Sequence, residues 1–151
     1  MEFIKYYRAP FGILKIIVEN DSLINIDFTQ EMLVNKEEND FILKVVRQLD
    51  EYFLGQLKVF DLKMSLIGTG FQKNVWNELL NIEYGKTKSY KEIAIAIDNE
   101  NASRAVGNAN NRNKIAIVIP CHRVIGSDNK LVGYAGGLDI KKWLLNFEKD
   151  R

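Results

Sequence analysis

The sequence predicts an α+β fold in which an antiparallel sheet precedes a group of helices. Three short runs rich in β-branched and aromatic residues occupy the first thirty positions, and two turn signals separate them. Beyond residue 67 the apolar residues recur at helical spacing, behind clear helix start signals. We therefore divide the 151 residues into two domains, 1–66 and 67–151.

The first domain is predicted to begin as a three-stranded meander. Its strands are expected at 3–8, 13–19 and 23–28, because turn-forming residues lie between them at Pro10-Phe11-Gly12 and Asn20-Asp21. Such short connections join neighbouring antiparallel strands.

A helix is predicted to follow the meander and pack on it. Apolar residues recur at helical spacing from Asp40, and Gly55 stands where a left-handed C-terminal cap is expected. We also expect a further strand at Leu57–Leu62. The two glycines within Ser65–Gly70 are typical of a linker between domains.

The second domain carries two capping boxes and a final amphipathic helix. Thr69 with Gln72 and Ser89 with Glu92 have the spacing of a capping box, which marks the start of a helix. The last helix is predicted from Asp139 to about Glu148, with its apolar residues on one side.

Two short helices around a polar turn predict a helix-turn-helix. The first helix follows Ser89, and the second covers 102–112, which is rich in Ala, Gly, Asn and Arg. Small residues permit close approach to a surface, and Arg104 and Arg112 lie about two turns apart, where they can reach phosphates. Residues 66–151 carry 13 basic and 9 acidic side chains, whereas residues 1–65 carry 8 and 11, so the second half is the more plausible partner for a polyanion.

The composition is typical of a folded globular protein. Apolar residues make up 46% and charged residues 27% of the chain, and no apolar run approaches the roughly 20 residues needed to span a bilayer. The N-terminus also lacks the basic and then apolar pattern of a secretory signal. We therefore expect a cytoplasmic protein without membrane contact, and we expect it to act as a monomer.

The chain has one cysteine, Cys121, and its one histidine, His122, is the next residue. A single cysteine excludes an internal disulfide, and a single Cys/His pair excludes a Cys/His zinc site, which needs about four such ligands. We expect neither a metal nor another cofactor. A cysteine attacks as the thiolate and needs a nearby base, so this pair is the candidate nucleophile and base.

The adjacency of the pair raises a geometric question. Neighbouring side chains on an extended segment point to opposite sides, so either Pro120 turns the chain or a water connects the two groups. A basic imidazole is usually oriented by a carboxylate. Four acids downstream are candidates for this role, and the residue pattern does not choose among them: Asp128, Asp139, Glu148 and Asp150.

At this point the second half of the chain resembles the O6-alkylguanine-DNA alkyltransferases. The resemblance rests on motifs in one register, namely Phe71–Trp76, Tyr84–Thr87, Ser89-Tyr90, Arg104–Gly107, Pro120–Gly126, Gly133–Leu138 and Lys141–Glu148. The first 65 residues match only in outline. The resemblance implies a ribonuclease-H-like α/β domain with an antiparallel sheet before a helical, winged-helix-like domain with a helix-turn-helix.

The resemblance also implies an activity and its catalytic residues. The thiolate of Cys121 would take the alkyl group from O6-alkylguanine in double-stranded DNA and keep it, so that each molecule acts once. His122 would be the base acting through a water, and Glu148 would orient the imidazole. Asn113 would tie the turn that carries the cysteine to the helix-turn-helix. Hydrogen bonds or a proton for the leaving guanine would come from Tyr90 and Lys141.

The DNA-binding residues are likewise implied by the resemblance. Arg104 would enter the duplex in place of the extruded base, and Tyr90 would crowd the target phosphate. The other residues expected at the DNA are Ala102, Ser103, Ala105, Gly107, Asn110, Arg112 and Arg123. The pocket for the extruded guanine would be formed by Val124, Tyr134, Ala135 and Gly136.

Three positions depart from the pattern of that family. Lys114 stands where proline is usual, Asn110 where a larger apolar residue is frequent, and Ala135 where some members have serine.

Three other functions remain as alternatives. A catalytically silent relative that only binds alkylated DNA would lack the acceptor cysteine. A cysteine hydrolase normally takes its base from a distant part of the sequence and needs an oxyanion loop. A plain helix-turn-helix regulator has no need of Cys121 beside His122.

Overall fold

The computed structural model describes residues 1–34 and 37–150. These residues form, in chain order, β1 (Glu2–Ala9), β2 (Gly12–Glu19), β3 (Ser22–Thr29), α1 (Asp40–Phe53), α2 (Gly70–Leu79), β4 (Lys88–Ser89), α3 (Tyr90–Ala96), α4 (Ser103–Asn111), a 3-10 turn (Cys121–Arg123), β5 (Val124–Ile125) and α5 (Leu138–Lys149). The chain divides into two compact units, Met1–Leu66 and Ile67–Arg151, of which residue 151 lies outside the described part. The α+β fold is confirmed.

The first unit is built on an antiparallel sheet of order β1-β2-β3. The central strand β2 alternates, so that Leu14, Ile16 and Val18 are buried on one face, as the period of two in a strand requires. Helix α1 contributes its own apolar stripe to this unit's core. The amide oxygen of Asn39 caps its first turn by accepting from the Ile42 N–H at 2.8 Å.

The expected strand at Leu57–Leu62 does not form. The side-chain amide of Gln48 on α1 donates to the Asp61 carbonyl and accepts from the Asp61 N–H, at 3.0 and 2.9 Å. These bonds satisfy the Asp61 main chain without a strand partner. A sheet-type contact forms two residues after Leu62, where Met64 makes an isolated parallel bridge with Leu23 of β3.

In the second unit both predicted capping boxes are present. Thr69 and Gln72 bond reciprocally at the start of α2, and Ser89 and Glu92 do so at the start of α3. Helices α3 and α4 form the predicted helix-turn-helix. A buried indole N–H, that of Trp76 on α2, donates to the carbonyl of Ala109 on α4 at 2.9 Å.

A two-residue parallel sheet anchors the segment that follows the predicted nucleophile. Lys88 of β4 pairs with Val124 of β5, and Ser89 pairs with Ile125. Because Ser89 is also the N-cap of α3, this sheet connects the start of the helix-turn-helix to the chain just beyond residues 121–123. No helix within residues 1–34 and 37–150 is long and apolar enough to cross a membrane.

Candidate active site and DNA-binding surface

Two tight turns place Cys121. Pro120 has φ −81° and ψ 63°, and the Cys121 N–H donates to the Ile119 carbonyl at 2.8 Å, which is an inverse γ-turn. The Arg123 N–H then donates to the Pro120 carbonyl at 3.0 Å and closes the 3-10 turn. Cys121 and His122 therefore do not alternate as on an extended strand, and Pro120 does turn the chain.

The segment before the cysteine contains a strained residue. Ile117 is buried and has φ 73°, a region that β-branched residues rarely adopt, and the Val118 N–H donates back to the Ala116 carbonyl at 2.8 Å. Such a conformation costs about 1–3 kcal/mol and persists only where the surroundings hold it.

Asn113 supplies part of that support. Its side-chain amide donates to the Ile119 carbonyl at 2.9 Å and accepts from the Ile115 N–H at 3.0 Å. Asn113 lies just beyond α4, so its side chain ties both ends of the 115–119 segment to the end of that helix.

His122 and Glu148 form a buried pair. Nε2 of His122 lies 2.8 Å from Oε2 of Glu148, and both side chains are almost completely inaccessible to solvent. Of the four acids that the residue pattern left open, Glu148 is the one that lies against the imidazole. Glu148 is in the last turn of α5, so this helix brings the carboxylate to the 3-10 turn.

Arg123 binds the same carboxylate. It was predicted to contact DNA, and this prediction is corrected because the side chain is turned to the interior. Its Nε donates to Oε1 of Glu148 at 2.8 Å and a terminal nitrogen donates to Oε2 at 2.9 Å, while the other terminal nitrogen donates to the Ile82 carbonyl at 2.7 Å. The guanidinium also lies 5.7 Å from the centre of the Tyr84 ring. Only 6% of Arg123 is exposed, so it is an internal residue that grips Glu148. The apolar Val124-Ile125 directly after it was a signal of burial.

These contacts determine the protonation of the pair. Burial by itself raises the pKa of Glu148, but the hydrogen bonds and charges of His122 and Arg123 outweigh it and hold that pKa far below its usual range. Burial lowers the pKa of His122 despite the nearby carboxylate, so the imidazole is neutral near pH 7. An ionised carboxylate only accepts, hence Nε2 carries the hydrogen. Nδ1 is then unprotonated, and among the described residues it has no hydrogen-bond partner.

The thiol of Cys121 is under opposing influences. Burial prevails and raises the pKa of the thiol, although hydrogen bonding by Asn113, the positive charge of Lys141 and hydrogen bonding by Tyr134 act in the opposite direction. Burial lowers the pKa of Lys141 to about 8, and the charge of Cys121 opposes that shift. The positive charge of Lys141 therefore favours the thiolate form of Cys121.

Two predicted catalytic residues meet at one carbonyl. The hydroxyl of Tyr90 donates to the Val132 carbonyl at 3.1 Å, and Nζ of Lys141 donates to the same oxygen at 2.9 Å. The chain between β5 and α5 is thus fastened to both α3 and α5. Burial raises the pKa of Tyr90, as does the nearby Cys121, so its phenol stays protonated.

An open cleft of about 570 Å³ adjoins this carbonyl. It is lined by Ser89, Tyr90, Lys91, Ser103, Arg104, Gly107, Asn111, Ser127, Val132 and Gly133. Helix α4 packs against Tyr90 here, since a Cβ at Gly107 would lie 3.6 Å from the Tyr90 ring, in ordinary van der Waals contact. Cys121 is not on the cleft wall, and 6% of its surface is exposed.

Most of the predicted DNA-binding residues lie at the surface around α4. Arg104, Ala105 and Arg112 are exposed, and three others are half-buried: Ala102, Ser103 and Gly107. Asn110, like Arg123, does not lie at this surface, and its predicted place requires a correction. Only 1% of it is exposed, and its side chain donates to the Cys121 carbonyl at 3.2 Å. The sequence departure at Asn110 therefore lies in the interior and not on the surface that would face DNA.

The four residues predicted to form the guanine pocket differ in their exposure to solvent. Val124 is fully buried in β5, and Tyr134 and Gly136 are half-buried, while Ala135 is exposed. Tyr134 is the member of this set that interacts with the Cys121 thiol. The part of the chain that the structure describes contains no group of three or more His, Cys, Asp or Glu side chains arranged to hold a metal ion.

Comparisons with known proteins identify the family over nearly the whole chain. The model described as "6-O-methylguanine DNA methyltransferase, DNA binding domain" matches residues 70–150, and that described as its "ribonuclease-like domain" matches residues 3–66. The methylated-DNA–protein-cysteine methyltransferase of Methanosarcina acetivorans is 59% identical over 150 residues, covering 94% of this chain and 95% of the relative. That of Methanosarcina barkeri is 50% identical over 149 residues, covering 95% and 94%.

Solved structures agree with these relatives. The O6-methylguanine methyltransferase of Mycobacterium tuberculosis superimposes with a TM-score of 0.91 at 41% identity, covering 100% of this chain and 94% of that one. A complex of that organism's OGT protein with DNA gives a TM-score of 0.86 at 42% identity, covering 97% and 92%. With its two domains matched in order and relatives similar along almost their full length, this chain belongs to the 6-O-methylguanine DNA methyltransferase family.

Proposed function

We propose that this protein repairs DNA by transferring the alkyl group of O6-alkylguanine to its own cysteine, Cys121. The observation that carries the proposal is the placement of the nucleophile: Cys121 precedes a neutral histidine whose ring is fixed by the buried Glu148. Membership of the family adds the reaction and the substrate. The protein acts once, because a thioether has no thiolate left to react.

His122 serves as the base. Its Nε2–H donates to Glu148, so the lone pair at Nδ1 is free to take the thiol proton, either directly or through a bridging water. Arg123 keeps Glu148 ionised by two charge-assisted hydrogen bonds. The pair therefore acts as an oriented base whose tautomer is set by the buried carboxylate.

The transfer step is an in-line displacement at the alkyl carbon. The Sγ thiolate forms the C–S bond as the C–O6 bond breaks, and the electron pair passes to guanine, which takes up a proton. Lys141 stabilises the thiolate before the attack. Tyr90 and Lys141 are the proposed donors to the leaving guanine, and each would exchange its present bond to the Val132 carbonyl when it serves in this way.

The damaged base has to leave the duplex first. A stacked guanine cannot present its O6 alkyl group to a buried thiol, and extrusion of a nucleotide costs a few kcal/mol, less where its pairing is already impaired. Arg104 is exposed and lines the cleft together with Tyr90, which supports its proposed role of filling the gap in the duplex. The extruded guanine would lie against the main chain of Val124, Tyr134, Ala135 and Gly136.

The DNA backbone would be held around α4. Its small residues allow the helix to approach the duplex closely, and Arg112 adds a positive charge at the far end. The residues proposed to contact the backbone are Ala102, Ser103, Ala105, Gly107 and Arg112. We place the reaction in the cytoplasm, since a nucleophilic cysteine has to stay reduced.

Peptide mass spectrometry tests the proposed reaction. The protein is incubated with excess duplex containing one O6-methylguanine, and the peptide that holds Cys121 is expected to gain one methyl group in place of the thiol hydrogen. Cys121→Ala is expected to bind the duplex without becoming methylated. A duplex with unmodified guanine is the substrate control.

An unmodified Cys121 peptide at excess substrate would overturn the proposal. Tight and selective binding of the O6-methylguanine duplex without methylation would instead identify a binding module for alkylated DNA.

A further inference from the structure

Asn110 is a buried polar residue on the inner side of the predicted recognition helix. It lies in the last turn of α4, and 1% of its surface is exposed. Its neighbours on the inner side of α4 are the apolar Val106 and Ala109. Its side-chain nitrogen donates to the Cys121 carbonyl at 3.2 Å, so α4 makes direct contact with the main chain of the nucleophile.

Within residues 1–34 and 37–150, only the nitrogen of the Asn110 side-chain amide has a hydrogen-bond partner. Its Oδ1 is buried and has no hydrogen-bond partner among the described residues. A buried acceptor without a partner is unfavourable, and an apolar residue of similar shape would remove this oxygen. The Cys121 carbonyl would not be left unpaired by such a change, because it also accepts from the Val124 N–H. The hydrogen bond to Cys121 is therefore not explained by the stability of the fold.

Two asparagines hold the carbonyls on either side of Pro120. Asn113 donates to the Ile119 carbonyl before the proline, and Asn110 donates to the Cys121 carbonyl after it. Residues three apart at the end of a helix lie on the same side of it, which is why both amides reach one turn. The γ-turn at Pro120 is thus held at one end by the last turn of α4 and at the other by the residues just beyond that helix.

The hydrogen bond from Asn110 fixes the orientation of the peptide plane that joins Cys121 to His122. The Cys121 carbonyl accepts from the Val124 N–H as well as from Asn110, so both of its lone pairs are engaged. The plane before Cys121 is held as well, because the Cys121 N–H donates to the Ile119 carbonyl at 2.8 Å. With the planes on both sides held, the φ and ψ of Cys121 are fixed, and so is the direction of its Cα–Cβ bond. Reacting groups need to stay within about 0.5 Å and 10–20° of the productive geometry.

We propose that Asn110 is a positioning residue that aligns the Cys121 thiol by holding its carbonyl against α4. This inference rests on the proposed alkyl transfer, and it assigns Asn110 to the chemical step and not to the DNA surface. It also links the nucleophile to the helix that carries Arg104. DNA docking and thiol alignment would then be set by one rigid element.

The variant Asn110→Leu tests the proposal, because leucine has a similar size and removes both the hydrogen bond and the unpaired oxygen. We expect its melting temperature to equal or exceed that of the wild type. Single-turnover transfer is expected to slow about three- to tenfold, the effect of one neutral hydrogen bond. The slowing should be equal for saturating duplex and for free O6-benzylguanine, with unchanged duplex affinity.

The exposed Asn108 on the same helix offers a matched control. Asn108→Leu makes the same substitution without touching the turn, so its rate with free O6-benzylguanine should equal that of the wild type. Alkylation of Cys121 by iodoacetamide, a small reagent that needs no alignment in a pocket, should not slow in Asn110→Leu. Slower benzylguanine transfer without slower iodoacetamide reaction is a signature of lost alignment.

Three results with Asn110→Leu would overturn the inference. The first is an unchanged transfer rate, and the second is a lower rate with duplex DNA alone, together with weaker binding of the duplex. The third is a lowered melting temperature that accounts for the lost rate. The second result would return Asn110 to the DNA surface. Failure of the wild type to transfer any alkyl group would overturn the proposed function instead, and the iodoacetamide comparison separates that case.

Discussion

Nε2 of His122 lies 2.8 Å from the carboxylate of Glu148, a residue 26 positions later in the chain. The next residue, Arg123, grips the same carboxylate from another side. Successive residues of a 3-10 turn are rotated by about 120°, which lets neighbours approach one group from different directions. One carboxylate therefore orients the base and neutralises the arginine.

Glu148→Gln is expected to lower both stability and activity. The neutral amide leaves the buried Arg123 guanidinium without a counter-charge, and breaking such a buried pair costs about 3–5 kcal/mol. Loss of the oriented base should slow alkyl transfer about 100-fold. Denaturant unfolding and single-turnover transfer measure the two effects. Glu83→Gln, an exposed change in the same unit, is the control, and an equal free energy of unfolding in both variants would contradict the arrangement.

Arg123→Ala should destabilise the protein without changing how DNA binding depends on salt. Its guanidinium is occupied by Glu148 and the Ile82 carbonyl, so it releases no counterions from a bound duplex. In contrast, Arg112→Ala should reduce the slope of log affinity against log salt concentration by about 0.9 if Arg112 neutralises one phosphate. A reduced slope for Arg123→Ala would restore the DNA contact that the sequence predicted.

Stability should fall as the pH drops below about 6.5. The unfolded chain protonates its one histidine near that pH, whereas burial lowers the pKa of His122 in the folded protein. Between these two pKa values the unfolded state binds more protons, so the free energy of unfolding decreases with falling pH. Chemical denaturation between pH 5 and 7 measures the slope. His122→Gln should remove it, and an unchanged slope in that variant would assign the effect to other groups.

Lys141→Met should raise the pKa of the Cys121 thiol. The variant removes the positive charge that favours the thiolate, while the burial that disfavours it remains. The pH profile of Cys121 alkylation by iodoacetamide should therefore shift to higher pH. Lys142→Met, at the exposed neighbouring position, should keep the wild-type profile. Identical profiles for both variants would show that Lys141 does not stabilise the thiolate.

Arg104→Ala should slow transfer from duplex DNA far more than transfer from free O6-benzylguanine. Arg104 is exposed in the cleft and is proposed to fill the duplex after extrusion, a step that the free base does not need. Rates with both substrates give the comparison. Equal slowing of the two reactions would assign Arg104 to the chemical step and remove its role in extrusion.

The parts of the fold that depend on local sequence were predicted well. The capping boxes at Ser89 and Thr69 act within one helical turn, and the meander follows from alternation and short turns, so each is visible in a few consecutive residues. The prediction of a strand at Leu57–Leu62 was wrong because its outcome depends on a contact with a distant residue. Its apolar residues fit a strand, but the partner of its main chain is Gln48, on a helix earlier in the chain.

The sequence by itself determined the chemistry available to this protein: one thiol, one imidazole beside it, a proline before them, and helices with their own start signals. The residue pattern left four acids open and the family resemblance implied Glu148, and the tertiary structure brings that carboxylate against the imidazole. Only the tertiary structure decided that Arg123 lies inside and that Asn110 faces Cys121. The type of each side chain and its near neighbours can be read directly from the sequence. Its burial and its distant partners depend on how α4, α5 and the 3-10 turn pack, and that packing joins residues far apart in sequence.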